Sequence, residues 1–390
     1  MNRYESLAAL AGDLSRHGSA PAVIVHGEGA ARAHSYAELA EDIARLARGL
    51  VRDGLERDEP VLLWAPNSAQ WVIAHFAVVC AGGLVVPLDD LAGARELARV
   101  VADCGARRIF TARAHLPAVA GLDGAAGLQV VVLDDPGSAA APNVWAWRDL
   151  QSDGKGALPE IDPQSCACLL YTSGTTGTPK AVPLTHRNIL ANVEALRAGG
   201  LAGPRDRVLL PLPRHHAYAF TVGLLGSLAS GATVVLPAGL SGPQITTALR
   251  ASRATILLGV PRLYTALLSV IERQTAQRGV VARALFRILL ALSTQLRKRF
   301  GLRIGRLAFR TLHREIGRHL RGLGCGGARL DAVAARRLEA LGWEVLTGYG
   351  LTETSPMLTF STRGHGRAET AGRILPGVEL RIVAEAAQPF

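Results

Sequence analysis

Short β-rich runs alternate with helical patterns along most of this 390-residue chain. The runs typical of strands are Ala22–His26, Val61–Trp64, Arg108–Thr111, Val130–Leu133, Cys166–Tyr171, Val208–Leu210, Thr233–Leu236, Thr255–Leu258 and Glu344–Thr347. This alternation is typical of parallel sheets covered by helices. We therefore predict an α/β fold, and the 49% of residues that are hydrophobic are sufficient for a large core.

The first long helix has a clear start signal. Ser35 and Glu38 have the spacing of a capping box, and apolar residues then recur at helical spacing to about Leu50. We predict a helix that begins immediately after Ser35.

The cysteine pattern argues against a structural zinc site. Cys166 and Cys168 alternate along the run CACLLY, which favours a buried core strand. We predict free thiols in a reducing cytoplasm. The N-terminus lacks the apolar core of a signal peptide. The longest stretch without charged residues, His215–Leu249, contains glycines and two prolines, so we predict buried elements rather than a membrane span.

The formal charge of +11 is concentrated in one segment. From Pro261 to Arg321 there are fourteen Lys or Arg residues against two acids, a balance of +12 that leaves −1 for the rest of the chain. The stretch 262–321 has almost no β-signal and a helical pattern rich in Leu, Ala and Arg. We predict a basic helical insertion within the α/β domain.

The decapeptide YTSGTTGTPK, from Tyr171 to Lys180, is the strongest chemical signal in the sequence. A strand-like run leads into a loop of glycines and hydroxyl residues, and a helix is predicted to open near Thr185. N–H groups freed by glycine, hydroxyls and an ammonium group can together surround a polyphosphate. The spacing differs from the ordinary P-loop, because Gly174 and Gly177 are only three positions apart. A polar turn joining a strand to a helix is the alternative interpretation.

This decapeptide resembles the phosphate-binding loop of the adenylate-forming superfamily of acyl-CoA synthetases, luciferases and peptide-synthetase adenylation domains. The resemblance covers nearly the whole chain and is to the N-terminal domain of long-chain fatty acyl-CoA ligases. It implies two parallel sheets layered with helices, together with an incomplete small β-barrel subdomain. It also implies that the loop binds the phosphates of ATP, with Thr172 near the metal. The residues carried over to the nucleotide are Thr172, Ser173, Gly174, Thr175, Thr176, Gly177 and Lys180.

Two further strings stand in the family's order. GYGLTETS, from Gly348, resembles the motif in which Tyr349 and Gly350 would line the adenine pocket and Thr352 would meet the α-phosphate. Glu353 would hold Mg²⁺, which commonly takes one or two carboxylates plus phosphate oxygens. The family's adenine-side glycine turn corresponds to Gly326, Gly327 and Ala328. The catalytic residues implied by the resemblance are Lys180, Thr352 and Glu353.

The signal for the acid substrate is the string LPRHH, from Leu212 to His216. It resembles the loop in which the family places a histidine or an aromatic residue beside the acyl carboxylate, and His216 is the better aligned histidine. Phe220, one helical turn further on, would be the aromatic gate of a fatty-acyl tunnel. Two surface histidines at the start of a helix are the alternative interpretation.

The resemblance implies ATP-dependent activation of a carboxylic acid to acyl-AMP and then to acyl-CoA, with ATP, Mg²⁺ and CoA as cofactors or co-substrates. We expect the acid to be a medium- or long-chain fatty acid. Family members continue for well over a hundred further residues, with a ribose-binding Asp, a hinge and a C-terminal lid domain that carries a lysine. We therefore interpret residues 1–390 as a truncated AMP-binding large domain with impaired catalysis.

A non-catalytic scaffold that binds nucleotide or acyl groups, or docks on membranes, is the rival hypothesis. In the basic segment, apolar residues share a helical span with Arg283 and Arg287, so the segment could contact an anionic bilayer surface. A solvated basic face is the simpler alternative. We do not expect a nucleic-acid partner, because aromatic residues are sparse there and no binding motif is present.

Overall fold

The computed structural model describes residues 3–27, 29–122, 124, 127–135, 143–173, 179–362 and 370–383. The strands are β1 (Pro21–Val25), β2 (Arg32–Ser35), β3 (Pro60–Trp64), β4 (Leu84–Pro87), β5 (Arg108–Thr111), β6 (Gln129–Val132), β7 (Val144–Ala146), β8 (Cys166–Ser173), β9 (Pro179–Thr185), β10 (Arg207–Leu209), β11 (Thr233–Leu236), β12 (Ile256–Gly259), β13 (Gly322–Cys325), β14 (Glu344–Gly350), β15 (Met357–Phe360) and β16 (Arg373–Ile374).

The helices are α1 (Leu7–Asp13), α2 (Tyr36–Arg52), α3 (Ala69–Cys80), α4 (Ala94–Cys104), α5 (Leu116–Ala120), α6 (His186–Ala198), α7 (Gly226–Ala229), α8 (Gly242–Ala251), α9 (Pro261–Gln277), α10 (Val280–Phe300), α11 (Gly305–Ala308), α12 (Arg310–Ile316) and α13 (Ala332–Ala340). A π-helix, Tyr218–Leu225, precedes α7. Short 3-10 helices cover Leu14–His17, Arg113–His115 and Thr352–Thr354.

The strands form two sheets, which confirms the predicted α/β class. One sheet has nine strands in the order β16-β15-β14-β13-β12-β10-β11-β1-β2, and the other has seven in the order β7-β6-β5-β3-β4-β8-β9. Helices separate most of the strands along the chain. Every run predicted as a strand lies on an observed strand, with boundaries that differ by at most three residues.

The two sheets are parallel in their interiors and have antiparallel pairs at their edges. The pairs β1–β2, β8–β9, β14–β15 and β15–β16 are antiparallel. Strands that follow closely in the chain can pair only this way, because a parallel pair needs a crossover of a dozen or more residues. In the described part of the chain, β14, β15 and β16 extend the nine-stranded sheet and no closed barrel forms.

The predicted capping box is confirmed at the start of α2. The Ser35 hydroxyl accepts a hydrogen bond from the Glu38 backbone N–H at 3.2 Å. The Glu38 carboxylate in turn accepts from the Ser35 N–H at 2.8 Å. Two orphan donors of the first turn are thereby satisfied.

The largest core lies between the two sheets. It contains α3, whose sequence AQWVIAHFAVVC is apolar on all sides, as a helix buried on all sides requires. The π-helix packs into the same core, and seven of its eight residues are buried. The five cysteines are free thiols, and Cys168 is buried in this core.

The segment 262–321 consists of helices, from α9 to α12, before β13 begins. It is anchored on the nine-stranded sheet, because Tyr264, Leu268 and Ile271 of α9 are buried in a second core. Its status as an insertion relative to related proteins stays a prediction. No helix in the described ranges is long and apolar enough to cross a membrane.

The Tyr264 hydroxyl joins two neighbouring strands. It donates to the Leu257 carbonyl of β12 at 2.9 Å and lies 2.6 Å from the Gly324 carbonyl of β13. Replacing Tyr264 with Phe should lower the free energy of unfolding by about 1–2 kcal/mol, measured by urea denaturation. Tyr171→Phe, which removes a hydroxyl whose hydrogen bond to Asp103 is exposed, is the control. Equal effects of the two changes would contradict the structural role of Tyr264.

Candidate functional site

A cleft with a volume of about 660 Å³ opens at the carboxyl ends of β12 and β13. Val260 and Gly326, which follow these two strands directly, lie in its wall. Ligands of open α/β sheets bind outside the carboxyl ends of the strands. Eight of the predicted site residues line this cleft: Thr172, Lys180, His216, Gly326, Gly327, Gly350, Thr352 and Glu353.

One side of the cleft is formed by the β8–β9 pair. Thr172 and Lys180 face each other in this antiparallel pair, and the Thr172 hydroxyl donates to the Lys180 carbonyl at 3.4 Å. Thr185 caps α6 through its side chain, so the predicted helix start is confirmed. Strand β9 was not predicted. The predicted phosphate-binding residues Gly174, Thr175, Thr176 and Gly177, and the side chain of Ser173, lie outside the described residues.

Glycine is required at two positions of the wall because of close contacts. A Cβ atom at Gly326 would lie 2.7 Å from the Tyr218 ring, and a Cβ at Gly350 would lie 1.6 Å from the Pro356 carbonyl oxygen. Gly327 has a φ of +78°, which also favours glycine. Ala328 is exposed and is not part of the wall.

The opposite side is a loop that follows β14 and carries Thr352 and Glu353 in a 3-10 helix. Asn192 of α6 fixes this loop. Its side-chain amide donates to the Thr354 carbonyl at 3.2 Å, and its carbonyl oxygen accepts from the Met357 N–H at 2.7 Å. Because α6 begins where β9 ends, one buried amide ties the two motif regions together. Sequence analysis missed Asn192, since its partners are more than 160 positions away.

Tyr349 is 49% exposed and does not line the cleft. Its neighbours Gly348 and Gly350 do. The structure therefore brings Gly350 to the cleft but not the Tyr349 side chain, and an adenine-binding role for Tyr349 stays a prediction.

The two histidines of the LPRHH string lie against each other. Their ring centres are 4.0 Å apart and their Nε2 atoms 3.1 Å apart. Burial lowers the pKa of His215 to about 4, and it also lowers the pKa of His216. Both imidazoles are thus neutral at pH 7. A neutral His216 at the cleft wall can donate or accept one hydrogen bond without adding charge.

Phe220 lies in the core rather than in the cleft wall. It is 1% exposed, and its ring centre is 4.6 Å from that of His75. The aromatic residue that lines the cleft is Tyr218, whose pKa is raised far above its usual range by burial, so its hydroxyl stays protonated. The Phe220 N–H donates to the His216 carbonyl at 3.0 Å, so Phe220 does lie one ordinary turn after His216, but its side chain is buried in the core. A role for Phe220 as an aromatic gate stays a prediction. The sequence signal that could have identified Tyr218 was its position two residues after His216 of the LPRHH string.

Comparison with known proteins agrees with this geometry. The model of the AMP-binding enzyme family matches residues 11–390. A feruloyl-CoA synthase from an Amycolatopsis species is 28% identical over 358 residues, which cover 91% of this chain and 62% of that protein. A long-chain-fatty-acid–CoA ligase, FadD15, from Mycobacterium bovis is 28% identical over 373 residues, covering 89% and 60%.

A solved structure shares the fold. The inhibitor-bound N-terminal domain of FACL13 from Mycobacterium tuberculosis has a TM-score of 0.71 and 19% identity, covering 96% of this chain and 83% of that chain. Because the family model matches nearly the whole chain, the chain belongs to the AMP-binding enzyme family. It spans about 60% of the length of the curated relatives above.

Removing the Asn192 amide should loosen the Thr352–Glu353 loop. Asn192→Ala leaves the buried Met357 N–H and the part-buried Thr354 carbonyl without this partner, at about 1–3 kcal/mol of unfolding free energy. It should also weaken Mg·ATP binding, measured by calorimetric titration. Asn188→Ala removes an exposed capping amide from the same helix, so it should lower stability but leave nucleotide affinity unchanged. Unchanged affinity in Asn192→Ala would show that the tie does not position the loop.

Proposed function

We propose that this chain binds Mg·ATP in the cleft and activates a carboxylic acid as its acyl adenylate. The observation that carries the proposal is the convergence of Lys180, Thr352 and Glu353 on one 660 Å³ cleft, although they are far apart in sequence. A cation, a hydroxyl donor and a carboxylate are the groups that a polyphosphate and its metal ion require.

Each group has a proposed task. Lys180 offsets the charge of the β- and γ-phosphates, and the hydroxyl of Thr352 donates to the α-phosphate. Positioned donors and cations stabilise the charge that develops there when a carboxylate attacks. Glu353 and Thr172 offer the hard oxygen atoms that suit Mg²⁺, and both line the cleft. When bound, the ion would neutralise phosphate charge.

The acid is proposed to lie between His216 and Tyr218. Neutral His216 can orient the carboxylate without trapping it in an ion pair. Tyr218, packed on the backbone of Gly326, forms an apolar wall for the chain of the acid. We propose a medium- or long-chain fatty acid as substrate, in line with the ligase from Mycobacterium bovis. The feruloyl-CoA synthase makes an aromatic acid the competing possibility.

CoA is the proposed acceptor in the second step, by analogy with the relatives. Because this chain spans only part of their length, the complete acyl-CoA synthesis is proposed for the whole enzyme rather than for these residues alone. The free thiols support a reducing, cytoplasmic compartment.

A non-catalytic scaffold is the second candidate, and the exposed apolar residues of the basic segment favour it. Pyrophosphate release that depends on both ATP and an acid separates the enzyme from the scaffold, since a scaffold releases none. Nucleotide binding alone does not separate them.

The nucleotide assignment is tested by charge removal at the cleft. Lys180→Ala and Glu353→Gln should each weaken Mg·ATP binding by about 1.5–3 kcal/mol, because each removes a charged hydrogen-bonding group. The matched controls Lys155→Ala and Glu160→Gln change exposed residues away from the cleft and should bind like the unchanged protein. Equal Mg·ATP affinity in the unchanged protein, the two cleft variants and the two controls would contradict the assignment of this cleft to Mg·ATP.

The catalytic assignment is tested with a panel of fatty and aromatic acids. The 390 residues span about 60% of the length of the curated relatives. We therefore propose that they bind ATP but form acyl-CoA slowly, because positioning of the reacting groups contributes about 7–11 kcal/mol to such reactions. Fusion to the C-terminal part of a related ligase should raise acyl-CoA production by about 10²–10³-fold or more. Rapid turnover by the 390 residues alone would contradict the impaired-catalysis interpretation.

A further inference from the structure

Helix α10 carries a stripe of large apolar side chains that face away from the protein. Val281 is 81% exposed, Leu285 55%, Ile288 64% and Leu292 47%. Their spacing of three and four positions puts them on one face of the helix. Single exposed aliphatic residues are normal, but a continuous stripe marks a surface with a partner.

The opposite face of α10 is fixed to the protein. The Phe286 ring lies 5.3 Å from that of Phe309, and the Ser293 hydroxyl donates to the Ala340 carbonyl at 2.7 Å. Arg297 forms an ion pair with Glu339 at 2.8 Å. These contacts on the far side hold the stripe outward in the folded chain.

The surroundings of the stripe are cationic. α10 contains five basic residues and no acid. Among the described residues, Arg283, Arg287 and Lys298 have no acidic partner. Phe300, the last residue of α10, and Leu307 of α11 are also exposed, at 64% and 77%. At 3.6 residues per turn Arg287 and Lys298 lie on one side of the stripe, so this surface fits a partner whose anionic groups lie beside an apolar layer.

We propose that this stripe docks α10 in the plane of an anionic lipid surface. At about 1.5 Å per residue the helix is about 30 Å long, so it can lie along the headgroup boundary with its aliphatic side chains below the phosphates. Bases at the phosphate level add attraction to anionic lipids. A second copy of this chain fits less well, because two-fold pairing of the stripes brings the bases of both copies together. The proposal does not depend on catalytic activity.

The test is flotation of the full chain with phosphatidylcholine vesicles and with vesicles in which part of that lipid is replaced by phosphatidylserine. Binding should require phosphatidylserine. It should also weaken strongly with salt, because the electrostatic reach falls from about 10 Å at 0.1 M to about 3 Å at 1 M ionic strength.

Two pairs of variants locate the surface. Leu285→Gln with Ile288→Gln should lower vesicle affinity about tenfold or more. Arg287→Gln with Lys298→Gln should also lower vesicle affinity, mainly at low salt, where electrostatic attraction to the lipid is strongest. The matched controls are Leu91→Gln with Leu240→Gln, which are exposed leucines elsewhere, and Arg95→Gln with Arg99→Gln on α4. The controls should bind vesicles like the unchanged chain.

Mg·ATP affinity and thermal unfolding of each variant are measured alongside, so misfolding or failure of the nucleotide assignment is distinguishable from failure of this proposal. Equal vesicle binding by the stripe variants and their controls would overturn it. Self-association of the chain through the stripe, without vesicle binding, would also overturn it. Such self-association would be seen as a change in sedimentation on Leu285→Gln with Ile288→Gln.

Discussion

The buried amide of Asn192 links the two halves of the cleft. It is held by α6, which starts immediately after the β8–β9 pair, and it bonds two backbone groups of the Glu353 loop, at Thr354 and Met357. A buried amide that lost these partners would leave unsatisfied groups at a cost comparable to a full desolvation penalty. The distance between the Lys180 region and the Glu353 loop is therefore fixed by packing and hydrogen bonding together.

The glycines of the wall complement this tie. They allow backbone to approach backbone or ring where any side chain would collide, as at Gly326 against Tyr218 and at Gly350 against Pro356. The result is a cleft whose surface offers main-chain groups and a few polar side chains, as nucleotide sites do. Helix α9 of the basic segment packs on the nine-stranded sheet, whose strands β12 and β13 end at the cleft. The proposed lipid surface and the cleft therefore belong to one packed body.

Local patterns predicted much of this arrangement. Strands such as β5 and β11 are runs of β-branched and aromatic residues, and the Ser35 capping box is a short-range signal, so both could be read from the sequence. Strand β9 was missed because Pro179 and Pro183 weaken its β-signal, and β13, with the sequence GLGC, was missed because glycine has little preference for strands. The cleft position of Tyr218 was missed for a different reason, because sequence spacing alone does not show which side of its helix faces the cleft. Contacts such as Asn192 with Met357 depend on the tertiary fold, and no local pattern carries them.

The central claim is that Lys180 and Glu353 act on one nucleotide in one cleft. The most direct measurement is a double-mutant cycle for Mg·ATP binding, with Lys180→Ala, Glu353→Gln and the double variant titrated calorimetrically under one set of conditions. The account predicts that the two losses are not additive, with an interaction free energy of about 0.5–3 kcal/mol, because both side chains contact the same polyphosphate and its ion. Losses that add within about 0.3–0.5 kcal/mol, or that are absent for either residue, would contradict it.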